Sequence, residues 1–331
     1  MASLEQERPP VDRSGGPASD ARDGGFVHEA AFYGDMDSFL AATVPFLRLG
    51  LAANQPMLVM VDIMKATELR AALGGDSRRV AFADMSEVGR NPARILPAWQ
   101  QFVQDNSSDE QRPLRGIGEP IWSSRSDEQV IEAQIHEVLL NRAFAGRAAM
   151  SLLCPYDTST LSPEVIAEAE RAHPLISEEG AARQSNHYDE SCATSSLVDR
   201  PLSPAPEHAV TVPFDDYGLK SVRELVRHEA RAAGIDDQRA ADLGLSVNEL
   251  ATNSLEHGGG TGILTVWRRG DTLMCDVSDE GHIDDPLTGR LPPAEHEVGG
   301  RGLYLANQLC DLVQVRSSPG GTTVRVHMAT G

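Results

Sequence analysis

Four short stretches in the last third of the chain carry residues whose types and spacing could do chemistry. The first is Glu249-Leu250-Ala251-Thr252-Asn253-Ser254-Leu255-Glu256-His257-Gly258. Glu249, Asn253 and His257 recur every four residues, and on a helix each such step turns by only about 40°, so all three share one stripe. A carboxylate one turn before a carboxamide sets a base beside an oxygen ligand, the donor chemistry that Mg²⁺ prefers. The same run also reads as a polar helix flank ending at a glycine cap. The second stretch, Asp279-Glu280-Gly281, follows a strand pattern. A carboxylate there can accept an exocyclic amine such as that of adenine, and glycine lets a ring approach the backbone; Asp-x-Gly is equally an ordinary turn. The third, Gly299-Gly300-Arg301-Gly302-Leu303, opens a helix. Free N–H groups at such an end bind phosphate, and Arg301 adds a charge. The loop before it, with Pro286, Gly289, Pro292 and Pro293, could close as a lid. The fourth, Gly320-Gly321-Thr322-Thr323, enters the last strand and taken alone reads as a hairpin turn.

These stretches need elements to position them. The pattern predicts a short strand near Ala209–Val212, helices at about Tyr217–Ala233 and Asp237–Glu256, and strands Gly262–Arg269 and Thr272–Ser278. A Gly/Pro-rich loop, a helix Arg301–Cys310 and strands Leu312–Ser317 and Thr322–Met328 complete a mixed sheet with helices on one face. Leu243, Val247 and Leu250 flank the Glu249 stripe and can anchor its helix to that sheet. The earlier part reads differently. Strand patterns Met57–Asp62, Arg79–Ala83, Leu114–Gly118 and Ala148–Cys154 alternate with helical ones at about Asp35–Ala53, Lys65–Leu73, Pro92–Asp105 and Asp127–Phe144, and Ser162-Pro163-Glu164 opens another helix. Short buried-type strands alternating with helices predict an α/β fold with a parallel sheet covered on both faces.

Composition sets outer limits. The 331 residues suggest about two domains. With 40% hydrophobic residues the chain can build cores. With 29 Lys+Arg against 49 Asp+Glu the net charge is −20, which disfavours phosphate-tracking nucleic-acid binding and anionic membrane surfaces. The longest apolar stretch, Pro56 to Val61, is too short to cross a bilayer, and the N-terminus carries no secretory signal. Four cysteines without a CxxC pair fit reduced thiols and a cytoplasmic location. Residues 1–25 read as a flexible tail and 190–207 as a Pro/Ser-rich linker, leaving domains at 26–189 and 208–331.

In order and spacing, the four stretches over Ala209–His327 resemble the N, G1, G2 and G3 boxes of the GHKL (Bergerat-fold) ATP-binding superfamily, most closely its anti-sigma factor and serine-protein kinase branch. The resemblance implies a Bergerat α/β sandwich that binds ATP and Mg²⁺. Asn253 would coordinate Mg²⁺, Glu249 would act as general base or water-positioner, and Asp279 would read adenine. Gly281, Gly299, Gly300, Gly302 and Thr322 would line the nucleotide, with His257, Arg301 and Leu303 beside them. One position departs from the pattern: the G1 box often carries a second glycine where this chain has Ile283, which predicts a tighter adenine end. The implied activity is a serine/threonine protein kinase acting in a sigma factor and antagonist switch, with a sigma factor and/or an antagonist as partners and a homodimer through the ATP domain. The rival implication is a sigma-binding regulator without turnover. A sensor histidine kinase is a third reading; its acceptor would be His228, which falls inside the first helix of the ATP domain rather than in a separate hairpin.

The first domain holds Val27-His28-Glu29-Ala30-Ala31-Phe32-Tyr33, Gly118-Glu119-Pro120-Ile121-Trp122, Glu137-Val138-Leu139-Leu140-Asn141 and Cys154-Pro155-Tyr156-Asp157. Over Phe26–Asp189 these resemble the methanogen/methylotroph sensory (MEDS) domain, which implies a RecA-like parallel sheet flanked by helices and a sensing role. No GxxxxGK[ST] follows any strand, so nucleotide is not expected here. The expected pocket is His28, Tyr33, Glu119, Trp122, Glu137, Asn141 and Cys154, near the carboxyl ends of the strands. Tyr33 and Trp122 also read as core aromatics, and Cys154 as a small buried hydrophobe.

Overall fold

A computed structural model describes residues 25–106, 112–178, 181–189, 197–293 and 301–330. The expected tail (1–24 of 1–25), most of the first half of the expected linker with Cys192, and Gly299 and Gly300 lie outside the described residues. Among the described residues, no helix is long and apolar enough to cross a membrane.

The N-terminal half runs β1 (Phe26–Tyr33), α1 (Met36–Ala52), β2 (Met57–Val61), α2 (Ile63–Leu73), β3 (Ala81–Asp84), α3 (Met85–Val88), α4 (Ile95–Asp105), β4 (Leu114–Gly118), α5 (Asp127–Phe144), β5 (Met150–Asp157), α6 (Pro163–Ala172), β6 (Leu175–Glu178) and β7 (Ala181–Gln184). The strands form one sheet in the order β3-β2-β4-β5-β1-β6-β7, parallel except for the β6–β7 edge pair. Side chains alternate between two cores, as the strand period of two requires. Ala30, Met60, Leu152 and Cys154 face α4, α5 and α6. Ala31, Val59, Val61 and Leu153 face α1 and α2. Reciprocal side-chain caps start two of these helices: Asp35 with Ser38 opens α1, and Ser126 with Gln129 opens α5.

The sequence reading recognises four of these strands. It takes β1 only as a motif, because His28 and Glu29 interrupt its apolar run, and both are buried all the same. The polar pair inside a central strand is a first sign that this strand carries more than packing.

The C-terminal half runs β8 (Val210–Phe214), α7 (Leu219–Ala232), α8 (Asp237–His257), β9 (Gly262–Arg269), β10 (Thr272–Asp279), α9 (Arg301–Leu309), β11 (Leu312–Ser318) and β12 (Gly321–Ala329). It is an α/β sandwich. Val222 and Val226 of α7, Leu243, Val247 and Leu250 of α8, and Leu303 and Ala306 of α9 pack on one face of the sheet. Burying each large aliphatic here contributes about 1.5–3 kcal/mol. The strand order is β11-β12-β10-β9-β8, and every neighbouring pair is antiparallel, where the sequence reading expects a mixed sheet. Connectivity explains the difference. The α7–α8 hairpin reverses the chain between β8 and β9, and the single α9 crossover makes β11 run the same way as β10, but β12 lies between them. His228, the candidate phosphoacceptor of the third reading, sits exposed on α7 within this sandwich.

Candidate functional site

Helix α8 is pinned at its start by Asp236, whose carboxylate accepts from the backbone of Gln238 and Arg239. Its far end runs over β10 to Gly258. A cavity of about 310 Å³ opens there, lined among others by Asn253 and His257 of α8, Asp279 at the end of β10, Gly281 just beyond it, Leu303 of α9 and Thr322 of β12. Register explains part of the convergence, since Asp279 lies directly opposite Thr322 in the β10–β12 ladder.

The Asp279 carboxylate is held at both oxygens. Ser254 Oγ donates to Oδ2 at 2.6 Å and Gly281 N donates to Oδ1 at 2.8 Å. Thr322 Oγ1 in turn donates to the Gly281 carbonyl at 2.8 Å, which braces the turn. A carboxylate so oriented presents its remaining lone pairs to a donor in the cleft. Gly258 makes the approach feasible: a Cβ there would stand 2.4 Å from Asp279 Cγ. Ile283, the departure from the G1 pattern, also lines the cavity.

On the other flank, the start of α9 comes against Glu249 and Asn253. A Cβ on Gly302 would lie 3.0 Å from Glu249 Cβ and 3.1 Å from Asn253 Nδ2. Among the described residues neither the Glu249 nor the Asn253 side chain has a hydrogen-bond partner, which leaves a carboxylate and a carboxamide free beside a helix N-terminus. That oxygen-rich donor set fits Mg²⁺. Arg301 is exposed at the head of α9 and lies outside the cavity lining. Ser254 was not foreseen, yet a signal existed. It continues the apolar stripe Leu243, Val247, Leu250, and a polar residue on a buried stripe needs a partner.

The seven residues of the expected sensory pocket separate into groups on opposite faces of the N-terminal sheet. Tyr33 and Glu119 do lie at carboxyl ends of strands, where Tyr33 OH donates to the Glu119 carboxylate. Lys65 Nζ reaches the same carboxylate at 2.8 Å. Burial pushes the Glu119 carboxyl up to about 7 against the pull of Lys65. Trp122 instead stacks on the Arg125 guanidinium, 3.7 Å from its ring centre. His28, Glu137, Asn141 and Cys154 gather on the other face between the sheet and α5, joined by His173 at the end of α6. His28 is the third residue of β1, toward its amino end, so a single pocket at the carboxyl ends is corrected to two separate polar clusters. Burial and the neighbouring His173 push the His28 imidazole down to about 4. The Glu137 carboxylate stands between the two imidazoles, with Oε2 3.1 Å from His28 Nε2 and 3.2 Å from His173 Nε2. Burial also raises the Cys154 thiol, so it is not a poised nucleophile.

The two halves meet along α5 and α9. Glu132 of α5 pairs with Arg290 at 2.7 Å and with Arg316 at 2.9 Å. Asn91 Nδ2 donates to the Asn307 carbonyl at 3.0 Å, and Arg94 donates to the carbonyls of Asn307 and Cys310 at 2.9 and 3.1 Å. Side-chain donors thus cap the carboxyl end of α9, whose amino end faces Glu249 and Asn253.

Residues 27–174 match the family described as the methanogen/methylotroph, DcmR sensory domain, MEDS, and residues 212–328 match the histidine kinase-like ATPase domain. The serine-protein kinase RsbW of Halalkalibacterium halodurans is 29% identical over 123 residues, 34% of this chain and 76% of that protein. A crystal structure of the RsbU and RsbW domains of a Mycobacterium tuberculosis protein aligns with a TM-score of 0.29 and 22% identity, over 38% of this chain and 33% of that one. The chain joins a sensory domain of the MEDS family to a histidine kinase-like ATPase domain similar to RsbW.

Proposed function

We propose that this chain is an ATP-dependent serine/threonine protein kinase of the anti-sigma type, acting on a protein partner and governed by its N-terminal sensory domain. The observation that carries the reading is one cleft lined by both Asn253 and Asp279, with Glu249, unpaired among the described residues, one turn before Asn253. The similarity to RsbW over 123 residues and the histidine kinase-like ATPase match over residues 212–328 support the same reading. Asp279 accepts from the adenine amine while Ser254 and Gly281 hold it in place. Asn253 would hold Mg²⁺ through its side-chain oxygen, and the ion would supply charge neutralisation at the phosphate oxygens. Glu249 orients the partner's Ser or Thr hydroxyl and takes its proton as that oxygen bonds to the γ-phosphorus and ADP departs. The partner is a sigma factor, its antagonist, or both in turn. Control by the sensory half runs through Glu132, which grips Arg290 in the segment leading to α9.

The test is transfer of labelled γ-phosphate from ATP to a cognate antagonist by the full chain, with calorimetry of Mg-ATP binding alongside. Transfer that disappears in Glu249→Ala while nucleotide binding persists supports the kinase. Absence of transfer by the wild-type chain, with nucleotide bound, overturns it in favour of a sigma-binding regulator without turnover, the reading that Ile283 in the cleft favours.

A further inference from the structure

The buried cluster in the N-terminal half has a hydrogen-bond problem that its own atoms do not solve. Asn141 Nδ2 donates to the Ala172 carbonyl at 2.8 Å, which can only accept, so the amide orientation is set and Oδ1 faces His28 Nδ1 at 3.0 Å. His28 Nδ1 must therefore carry the proton. His173 Nδ1 lies 2.8 Å from the Ala169 carbonyl and must carry its proton for the same reason. When the rings are neutral, Nε2 of each is then a bare lone pair. Yet His28 Nε2 points at Glu137 Oε2 from 3.1 Å and at Cys154 Sγ from 3.3 Å. His173 Nε2 points at the same Glu137 oxygen from 3.2 Å. Among the described residues, Glu137 Oε1 and His173 Nε2 have no hydrogen-bond partner although both are buried. Three acceptor atoms, His28 Nε2, His173 Nε2 and a Glu137 oxygen, and the Cys154 sulfur converge within 4.8 Å of one another, on side chains no more than 1% exposed.

We infer that His28, Glu137, Cys154 and His173 form a binding site for a transition-metal dication, Zn²⁺ by ligand type. Two imidazoles, a carboxylate and a thiolate are zinc ligands, whereas Mg²⁺ and Ca²⁺ select all-oxygen sets. Spacing agrees. With bonds of about 2.0–2.3 Å, a tetrahedral zinc separates N and O donors by about 3.3 Å and N and S donors by about 3.5 Å. The measured N–O separations are 3.1 and 3.2 Å and the N–S separation is 3.3 Å. Asn141 and the Ala169 carbonyl are the outer partners that fix which nitrogen each histidine offers, the arrangement that metal-bound histidines have. Coordination also deprotonates the thiol that burial alone would keep protonated. The site draws its ligands from β1, α5, β5 and the end of α6, so the ion ties the sheet to both covering helices.

The test uses the untagged full chain in the absence of nucleotide. Elemental analysis after zinc dialysis is expected to show stoichiometric zinc, and chelation is expected to lower the melting temperature reversibly. Replacement by Co²⁺ is expected to give a thiolate-to-cobalt charge-transfer band that Cys154→Ala lacks. Cys154→Ala exchanges one small buried side chain for another, and circular dichroism checks its fold. Asn141→Ala removes no ligand and is expected to weaken zinc binding about 10–100-fold. A wild-type chain that takes up no zinc and gives no cobalt band overturns the inference and leaves a cluster held by protons. Zinc uptake unchanged in Cys154→Ala and in His173→Gln overturns it as well, by moving the metal elsewhere.

Discussion

Replacing Glu132 with Gln should loosen the two halves of the chain without unfolding either. Glu132 is fully buried on α5, and its two oxygens go to arginines from the other half. Breaking a buried pair by neutralising one partner costs about 3–5 kcal/mol, because a charge is left uncompensated. The two arginines do not share that cost equally. Arg316 keeps the carbonyls of Arg200 and Val315 and is 11% exposed, so it can recover some hydration. Arg290 is 7% exposed and among the described residues its Nη1 already lacks a partner, so most of the cost falls on it. The lower end, about 3 kcal/mol, or about 100-fold in the docking equilibrium, follows. Amide hydrogen exchange on the full chain reads this directly. Residues 285–293 and α9 should exchange about 100-fold faster in Glu132→Gln, while the buried stretch of α8 and β10 stays protected. The same loosening in Arg290→Ala, with little added in the double variant, would place both residues in one contact. Exchange of these segments within about fivefold of wild type would refute the claim that this carboxylate holds the domains together.

Other outcomes follow from the same structure. Gly258→Ala should abolish nucleotide binding by calorimetry and lower stability by about 1–3 kcal/mol, since its Cβ would collide with Asp279 Cγ at 2.4 Å. Ser254→Ala removes a 2.6 Å hydrogen bond to a carboxylate and should reduce ATP affinity about tenfold with the fold intact, whereas Asp279→Asn should reduce it more. Burial lowers the His327 imidazole to about 4 from 6.5, so its contribution is present above pH 6.5 and is lost as pH falls toward 4. Urea unfolding at pH 7 and pH 5 should show His327→Gln losing about 2 kcal/mol less than wild type over that interval.

The Glu249–Asn253–His257 stripe was legible because it is a local property of one helix. Its period of four places the three residues on one line wherever the helix goes. Asp279 at a strand end and Gly302 at a helix start were legible for the same reason, being features of a few consecutive residues at an element boundary. The division into a parallel-sheet half and a sandwich half could also be read, because strand and helix periods alternate differently in the two parts.

Tertiary structure decided what depends on distance along the chain. Ser254 meets Asp279 across 25 residues, and Glu132 meets Arg290 across 158. His173 reads only as a histidine before a proline at a helix end, until the sheet brings His28, Glu137 and Cys154 to its Nε2 face. Local propensity carries no information about which buried polar groups will share a partner. That choice is made when strands take their order and helices settle on a face, and the desolvation of each polar atom then forces it to find whatever the fold has placed within reach.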